Sequence, residues 1–226
     1  MLIITETERW RLAHPGALGG FLEVNDIEAV DHSGELDARK KIIEEKIRNK
    51  YANFSRQDFL AIPVMEAYQR YYKKFSKTYH VLQQVESIVN KGKNLPTVSP
   101  LVDSNFISEV DTLILTAGHD VDYLSGSITL DMSITGDILP RMNGVEKEII
   151  PGDMVMRDER GLCCSILYGQ DSRSIIRPQT QRVLFAAYAP PGVPYEDVVY
   201  HLNAIFNNIQ LFSPTAKIEQ LKLITA

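Results

Sequence analysis

Tyr168-Gly169-Gln170-Asp171-Ser172-Arg173 gathers an aromatic ring, an amide, a carboxylate, a hydroxyl and a guanidinium in six residues. Such a loop at a strand end can build a pocket. Arg173 would bind a phosphate or carboxylate, Asp171 an amino group, and Tyr168 would pack against the ligand, while Gly169 allows close backbone approach. Gln170 and Ser172 supply further hydrogen-bonding groups. The same residues also suit a turn in which Asp171 and Ser172 bond the backbone. Upstream, His119-Asp120-Val121-Asp122 holds the one histidine of five that lies among carboxylates. The cluster fits hard-metal or acid–base chemistry, with His119 orienting water, but such a string is more often a capped turn. A third feature is a run of charge. Residues 67–93 carry six basic side chains against one acidic in a chain of net charge −5. Arg70, Lys73, Lys74 and Lys77 would then face phosphates, or else form the solvated side of a helix whose tyrosines are core.

Other chemistries lack their residues. There is no Walker loop, dinucleotide fingerprint, zinc spacing or nucleophile elbow, so no cofactor and no metal is expected. Gly16-Ala17-Leu18-Gly19-Gly20 has glycines without the order of a phosphate loop and reads as a plain loop. Cys163 and Cys164 are neighbours that a strand would point to opposite faces, which disfavours a mutual disulfide. The longest apolar run, Val183 to Ala189, is too short to cross a bilayer. The start of the chain has no signal-peptide pattern. A cytoplasmic protein with no membrane partner is the expectation.

The elements that must position these residues follow from periodicity. Gly34 to Tyr51 reads as a surface helix capped by Ser33, with Leu36, Ile43 and Ile47 on one face and Lys40/Glu44, Lys41/Glu45 and Glu44/Arg48 at i,i+4. Ser55 to Asp58 resembles a capping box, and a second helix starts near Pro63. Further helices are predicted at about Tyr79 to Val89, ending at Asn90-Lys91-Gly92, and at Leu101 to Leu115 after Ser99-Pro100. Beyond Gly118 the period changes to two. Strands are predicted at Ser127 to Ser133, Met154 to Arg157, Leu162 to Tyr168 and Arg182 to Tyr188, the second and third as a hairpin. Pro194 opens a last helix to Phe212. The fold class is α+β: a helical N-terminal part over residues 1–94 packed on a largely antiparallel β-rich domain over 95–226, with a C-terminal helix.

Several segments occur in an order that resembles a known family. They are Leu95 to Asp103 (LPTVSPLVD), Asn105, His119 to Gly126 (HDVDYLSG), Pro151-Gly152-Asp153 and Thr180 to Phe185 (TQRVLF). Together they look like the B3/B4 module of the phenylalanyl-tRNA synthetase β chain, and more closely like its stand-alone relatives. The resemblance spans about residues 95 to 190. It implies recognition of tRNA or of the aminoacylated tRNA 3′ end, with editing in trans: hydrolysis of a wrongly attached amino acid's ester. Ester hydrolysis needs an oriented water and stabilisation of an oxyanion, which demands neither metal nor nucleophile. Two positions depart from the family. Its histidine falls at Ala117 and its pocket carboxylate at about Ala186, which implies that a tyrosine-specific pocket is not retained. A competing class is a non-catalytic module that binds a small amino-acid-like ligand or a protein.

Overall fold

The computed structural model describes residues 1–226. In chain order the elements are β1 (Ile4–Glu6), α1 (Glu8–Ala13), β2 (Leu18–Asn25), α2 (Gly34–Lys50), α3 (Arg56–Leu60), α4 (Pro63–Lys73), α5 (His80–Lys91) and α6 (Pro100–Thr112). There follow β3 (Thr116–Asp120), β4 (Ile128–Met132), β5 (Ile138–Pro140), β6 (Glu146–Glu148), β7 (Met154–Asp158), β8 (Gly161–Ser165), β9 (Gly169–Gln170), β10 (Val183–Ala189), α7 (Tyr195–Gln210) and β11 (Lys217–Thr225). The fold is α+β. No helix is long and apolar enough to cross a membrane.

The helices begin and end where side chains dictate. Ser33 caps α2 by accepting from the Leu36 N–H, and Ser99 caps α6 by accepting from Val102. Ser55 and Asp58 cap each other's backbone at α3, satisfying donors that a helix start otherwise leaves open. Pro63 stands in the first turn of α4, while Pro194 lies one residue outside α7 as its cap. Gly92 ends α5 at φ +61°. Helix α6 stops earlier than predicted. Leu113 turns left-handed at φ +66°, and its N–H returns to the Glu109 carbonyl, which frees the chain to enter β3.

Two sheets carry the architecture. One has the order β1-β4-β7-β8-β9, with β1 parallel to β4 and the remaining pairs antiparallel. The other, β11-β2-β10-β3, is wholly antiparallel, and β5 and β6 form a separate ribbon. The β7–β8 hairpin forms as predicted. Its second strand ends at Ser165, because Ile166 to Tyr168 turn before the short β9.

Seven strands lie outside the sequence reading: β1, β2, β3, β5, β6, β9 and β11. Leu18-Gly19-Gly20 starts β2 instead of forming a loop. The strand is buried on both faces, so its residues show no alternation. Gly20 is there for space: a Cβ would lie 2.6 Å from Cγ1 of Val198 on α7. His119 and Asp120 end β3, held by pairing with β10, and Asp120 then caps the turn over Val121–Tyr123 by accepting from the Asp122 N–H, so the capped turn forms directly after the strand. β11 follows the last helix and completes the edge beside β2.

One apolar core of 53 residues joins both sheets to the helices. Residues 1–94 contribute β1, β2 and α1–α5 to it. Helix α2 is less superficial than its charge pattern suggests. Lys40 is buried and bonds Asp103 at 2.7 Å and Thr97 at 3.0 Å, and Glu44 accepts from the Leu95 N–H at 2.7 Å. Of the three expected i,i+4 pairs, Glu44–Arg48 forms, at 3.7 Å.

Candidate functional site

The two polar segments singled out in the sequence meet. Gln170 Nε2 donates to the Gly118 carbonyl at 2.6 Å and to the Ser174 carbonyl at 2.9 Å, tying the loop after β9 to β3. His119 Nδ1 lies 2.7 Å from Ser174 Oγ, which donates to Asp171 Oδ1 at 2.5 Å. With its one hydrogen spent on Asp171, Ser174 must accept from His119, which places the imidazole proton on Nδ1. Arg173 Nε is 2.9 Å from Asp171, and its Nη atoms donate to both Asp158 oxygens at 3.2 Å. The result is a continuous internal chain from His119 through Ser174, Asp171 and Arg173 to Asp158.

That chain gives each of these side chains a partner within the protein. Asp171 and Arg173 lie against each other as an ion pair on one short loop, with Arg173 also hydrogen-bonded to Asp158. His119 is fully buried, and burial lowers its pKa to about 3, aided by Arg173 and opposed by Asp158. An imidazole so hard to protonate is a poor proton acceptor near neutrality. Asp120 accepts from Thr180 Oγ1 at 2.6 Å and from the Asp122 N–H at 3.1 Å, which pins the turn after β3. Ser172 binds the ribbon through its backbone N–H, 2.7 Å from the Pro140 carbonyl.

Beside this scaffold a chamber of about 310 Å³ opens between α6, β3, β8 and β10. Val102, Phe106, Leu115, Ile166 and Ile176 form much of its apolar wall, and Ala117 and Gly118 line it from β3. Its exposed lining residues, His80, Val98, Met142 and Gly169, make the rim. Gln170 is the one residue of the predicted loop cluster besides Gly169 that reaches it. Two buried polar atoms in the wall have no partner in the protein: Asn105 Oδ1 and the Tyr188 hydroxyl. Asn105 turns its amide nitrogen inward to the Thr116 carbonyl at 3.2 Å. Behind it, burial lifts the Glu109 carboxyl to about 8.

His80 occupies the rim in a defined state. Tyr72 donates its single hydroxyl hydrogen to the Ile166 carbonyl at 2.6 Å, so the contact of His80 Nδ1 with that hydroxyl, at 3.3 Å, has the imidazole as donor. Nε2 then carries the lone pair. Although the residue as a whole is exposed, desolvation of the side of the ring packed on Tyr72, and secondarily the nearby Lys77, lower its pKa.

The four predicted phosphate-facing residues are dispersed along α4 and beyond. Arg70 is exposed but lies 3.8 Å from Glu66 and donates to the Pro191 carbonyl. Lys73 and Lys74 face solvent. Lys77 approaches the chamber: its ammonium lies 5.0 Å from the centre of the Tyr168 ring, and Lys147 on β6 reaches the same ring at 5.6 Å. Sequence reasoning missed Lys147, because the ribbon carrying it has no strand pattern in its exposed Glu-Lys-Glu half. It also missed Tyr188, an apolar-strand residue with no local sign of its wall position. Asn105 appears in the motif that carries the family resemblance.

Fold and site together define an α+β domain with a largely apolar chamber at the junction of two sheets and a cationic, aromatic step beside its rim. The chain belongs to the B3/4 domain family, whose model matches residues 64–198, more than half of it. No curated protein matches the chain. Among solved structures, an N-terminal fragment of the phenylalanyl-tRNA synthetase β-subunit from Pyrococcus horikoshii is similar over 100% of this chain and 55% of the fragment, with 8% identity and a TM-score of 0.48. The chain thus spans about half the length of that fragment.

Proposed function

We propose that the protein recognises aminoacyl-tRNA at its acylated 3′ end and removes the amino acid by ester hydrolysis in trans. The observation that carries this reading is the junction at Gly169. On one side lies an apolar chamber, and on the other Tyr168, with the ammonium groups of Lys77 and Lys147 against its ring. An apolar acyl group joined to a phosphorylated nucleotide needs those two environments side by side. Membership of the B3/4 family supports the same assignment.

The hydrolytic step falls to His80 rather than His119. Its neutral ring stands at the rim, where Nε2 can take a proton from water as the water oxygen attacks the ester carbonyl. The protonated ring then returns that proton to the departing ribose oxygen. Tyr72 holds the ring through Nδ1. A non-catalytic module is the second reading, and it is favoured by the alanines at 117 and 186, where the family resemblance places a histidine and a carboxylate. Incubating the protein with a panel of correctly and wrongly charged tRNAs separates the two. Loss of ester from at least one member is expected. Binding of charged tRNA without any loss would leave the binding module, and failure to bind any tRNA would remove both RNA readings.

A further inference from the structure

Helix α5 buries Val81, Leu82 and Val85 and sets His80, Gln83, Gln84 and Ser87 along another face, at i, i+3, i+4 and i+7. Together with the segment from Lys93 to Pro96, that face forms a groove of about 410 Å³. The groove starts at the rim of the chamber, because His80 lines both cavities. Its lining holds three carboxamides, Gln83, Gln84 and Asn94, with one ammonium at Lys93 and neither a carboxylate nor a guanidinium. The one acid on the helix, Glu86, is outside the groove, bound through both oxygens to Arg56 at 2.7 and 2.8 Å. Asn94 is fixed in orientation. Arg48 can only donate, and its Nη2 lies 2.6 Å from Asn94 Oδ1, so both hydrogens of the Asn94 nitrogen remain free. Arg48 also donates to the Lys93 carbonyl at 3.1 Å, which holds this wall in place.

Carboxamides match one nucleobase edge better than the others. Adenine presents an amino donor beside a ring-nitrogen acceptor, and a glutamine or asparagine side chain meets both at once. Guanine offers two acceptors to an arginine or lysine, and cytosine a donor to a carboxylate. The groove has no arginine and no carboxylate to offer them. We infer that the α5 groove seats an adenine base against Gln83, Gln84 and Asn94, with the attached ribose at His80. Lys77 lies beside both His80 and Tyr168 and is placed for the phosphate of the same nucleotide. Three environments then meet at His80: the chamber, the amide groove and the cationic step. This inference deepens the aminoacyl-tRNA reading and rests on it for the source of the adenine, which a free nucleotide would also carry.

Titration of the whole protein with AMP, GMP, CMP and UMP, followed by NMR of the side-chain amide groups, tests the seat. AMP is expected to shift the signals of Gln83, Gln84 and Asn94 and to bind about tenfold or more tightly than the other three. Replacing Gln83→Ala and Gln84→Ala together should weaken AMP about tenfold and leave the melting temperature unlowered, since alanine suits a helix and neither side chain belongs to the apolar core. Equal binding of the four nucleotides, no binding of AMP, or undiminished AMP binding in the double variant overturns the inference. A second arm compares a tRNA with the same tRNA lacking its 3′-terminal adenosine. Weaker binding of the shortened tRNA assigns the adenine to the RNA, and equal binding of the two overturns the seating of a tRNA end in the groove. Bound AMP without bound tRNA sinks the RNA reading alone and leaves the seat to a free adenine nucleotide.

Discussion

Ala117 and Ala186 stand directly opposite each other in the β3–β10 ladder. The two positions at which the family resemblance places a histidine and a carboxylate are therefore cross-strand neighbours, with side chains on one face of the sheet. A charged pair there would be buried, since Ala186 is fully enclosed. With a methyl at each position, the sheet is apolar there, and Ala117 carries that surface into the chamber wall.

This relationship gives a stability test. Ala186→Glu alone should destabilise the fold by about 3 kcal/mol or more, through a buried unpaired charge and overpacking. Adding Ala117→His should recover part of that loss in urea unfolding. Additive losses in the double variant would show that the two positions do not couple.

The cationic step predicts an ionic-strength effect. Lys77→Gln with Lys147→Gln should weaken tRNA binding and reduce the log–log salt slope by roughly 0.7 to 0.9 per lost phosphate contact. Arg70→Gln, at a residue held near Glu66, should change the slope less. Filter binding across a salt series gives both numbers, and an undiminished slope in the double variant would return Tyr168 and its lysines to a structural role.

Hydrolysis should carry the signature of His80. Lysines apart, the titratable group facing this ring is Tyr72, which donates elsewhere and stays neutral because burial raises its pKa far above the ordinary range. A base with a lowered pKa is unprotonated at neutrality, so the rate should stay level there and fall only below the usual histidine range. His80→Gln should abolish that inflection and slow ester loss by about 10²-fold or more with little change in tRNA affinity. Tyr72→Phe should leave binding intact and lower the rate by releasing the ring. A profile unchanged in His80→Gln would rule the residue out.

Glu109 makes stability depend on pH. Burial raises its folded-state pKa to about 8 from an ordinary 4.5, so the folded protein holds a proton that the unfolded chain releases first. Its contribution is complete below about 4.5 and declines as pH rises toward 8, beyond which no further loss accrues from this group. Asp153, raised to about 7 by burial against the bonds from Ser165 and Tyr71, acts in the same direction. Glu109→Gln keeps an oxygen for the Thr116 N–H, which Glu109 holds at 2.7 Å. The variant should therefore be more stable than the parent at pH 8 and differ less at pH 5. A thermal-melting series in which both proteins lose stability equally over that range would contradict the assignment.

Helices α2 and α4 to α7 could be read along the chain because each announces itself through a cap, a proline or glycine boundary and a face of period 3.6, whereas the five-residue α3 reads as a short turn. β4, β7 and β10 were similarly legible. β2 and β3 were not, for different reasons: β2 is enclosed on both faces, so nothing alternates, and Thr116 to Asp120 is small and polar, a strand only because β10 lies beside it. The site suffered more. The His119 and Tyr168–Arg173 segments do meet, but sequence cannot show that Asp171 and Arg173 turn toward each other. Nor could it assemble a chamber whose wall takes Asn105 from a helix, Ala117 from one strand, Tyr188 from another and His80 from the N-terminal half.

The register of β2 has a consequence for biogenesis. Both strands that flank it, β10 and β11, come from the last part of these residues, with Asn25 paired to Lys217 at the far end of the ladder. At ribosomal speeds of 5–20 residues per second, roughly 10–40 s separate the emergence of β2 from that of β11. Until β10 emerges, which takes up most of that interval, an apolar strand open on both hydrogen-bonding edges has no native neighbour, and such edges are templates for wrong pairing. The sheet that shapes the chamber can therefore form only at the end of synthesis, and the nascent chain needs a holding chaperone or the shelter of its own early helices until then.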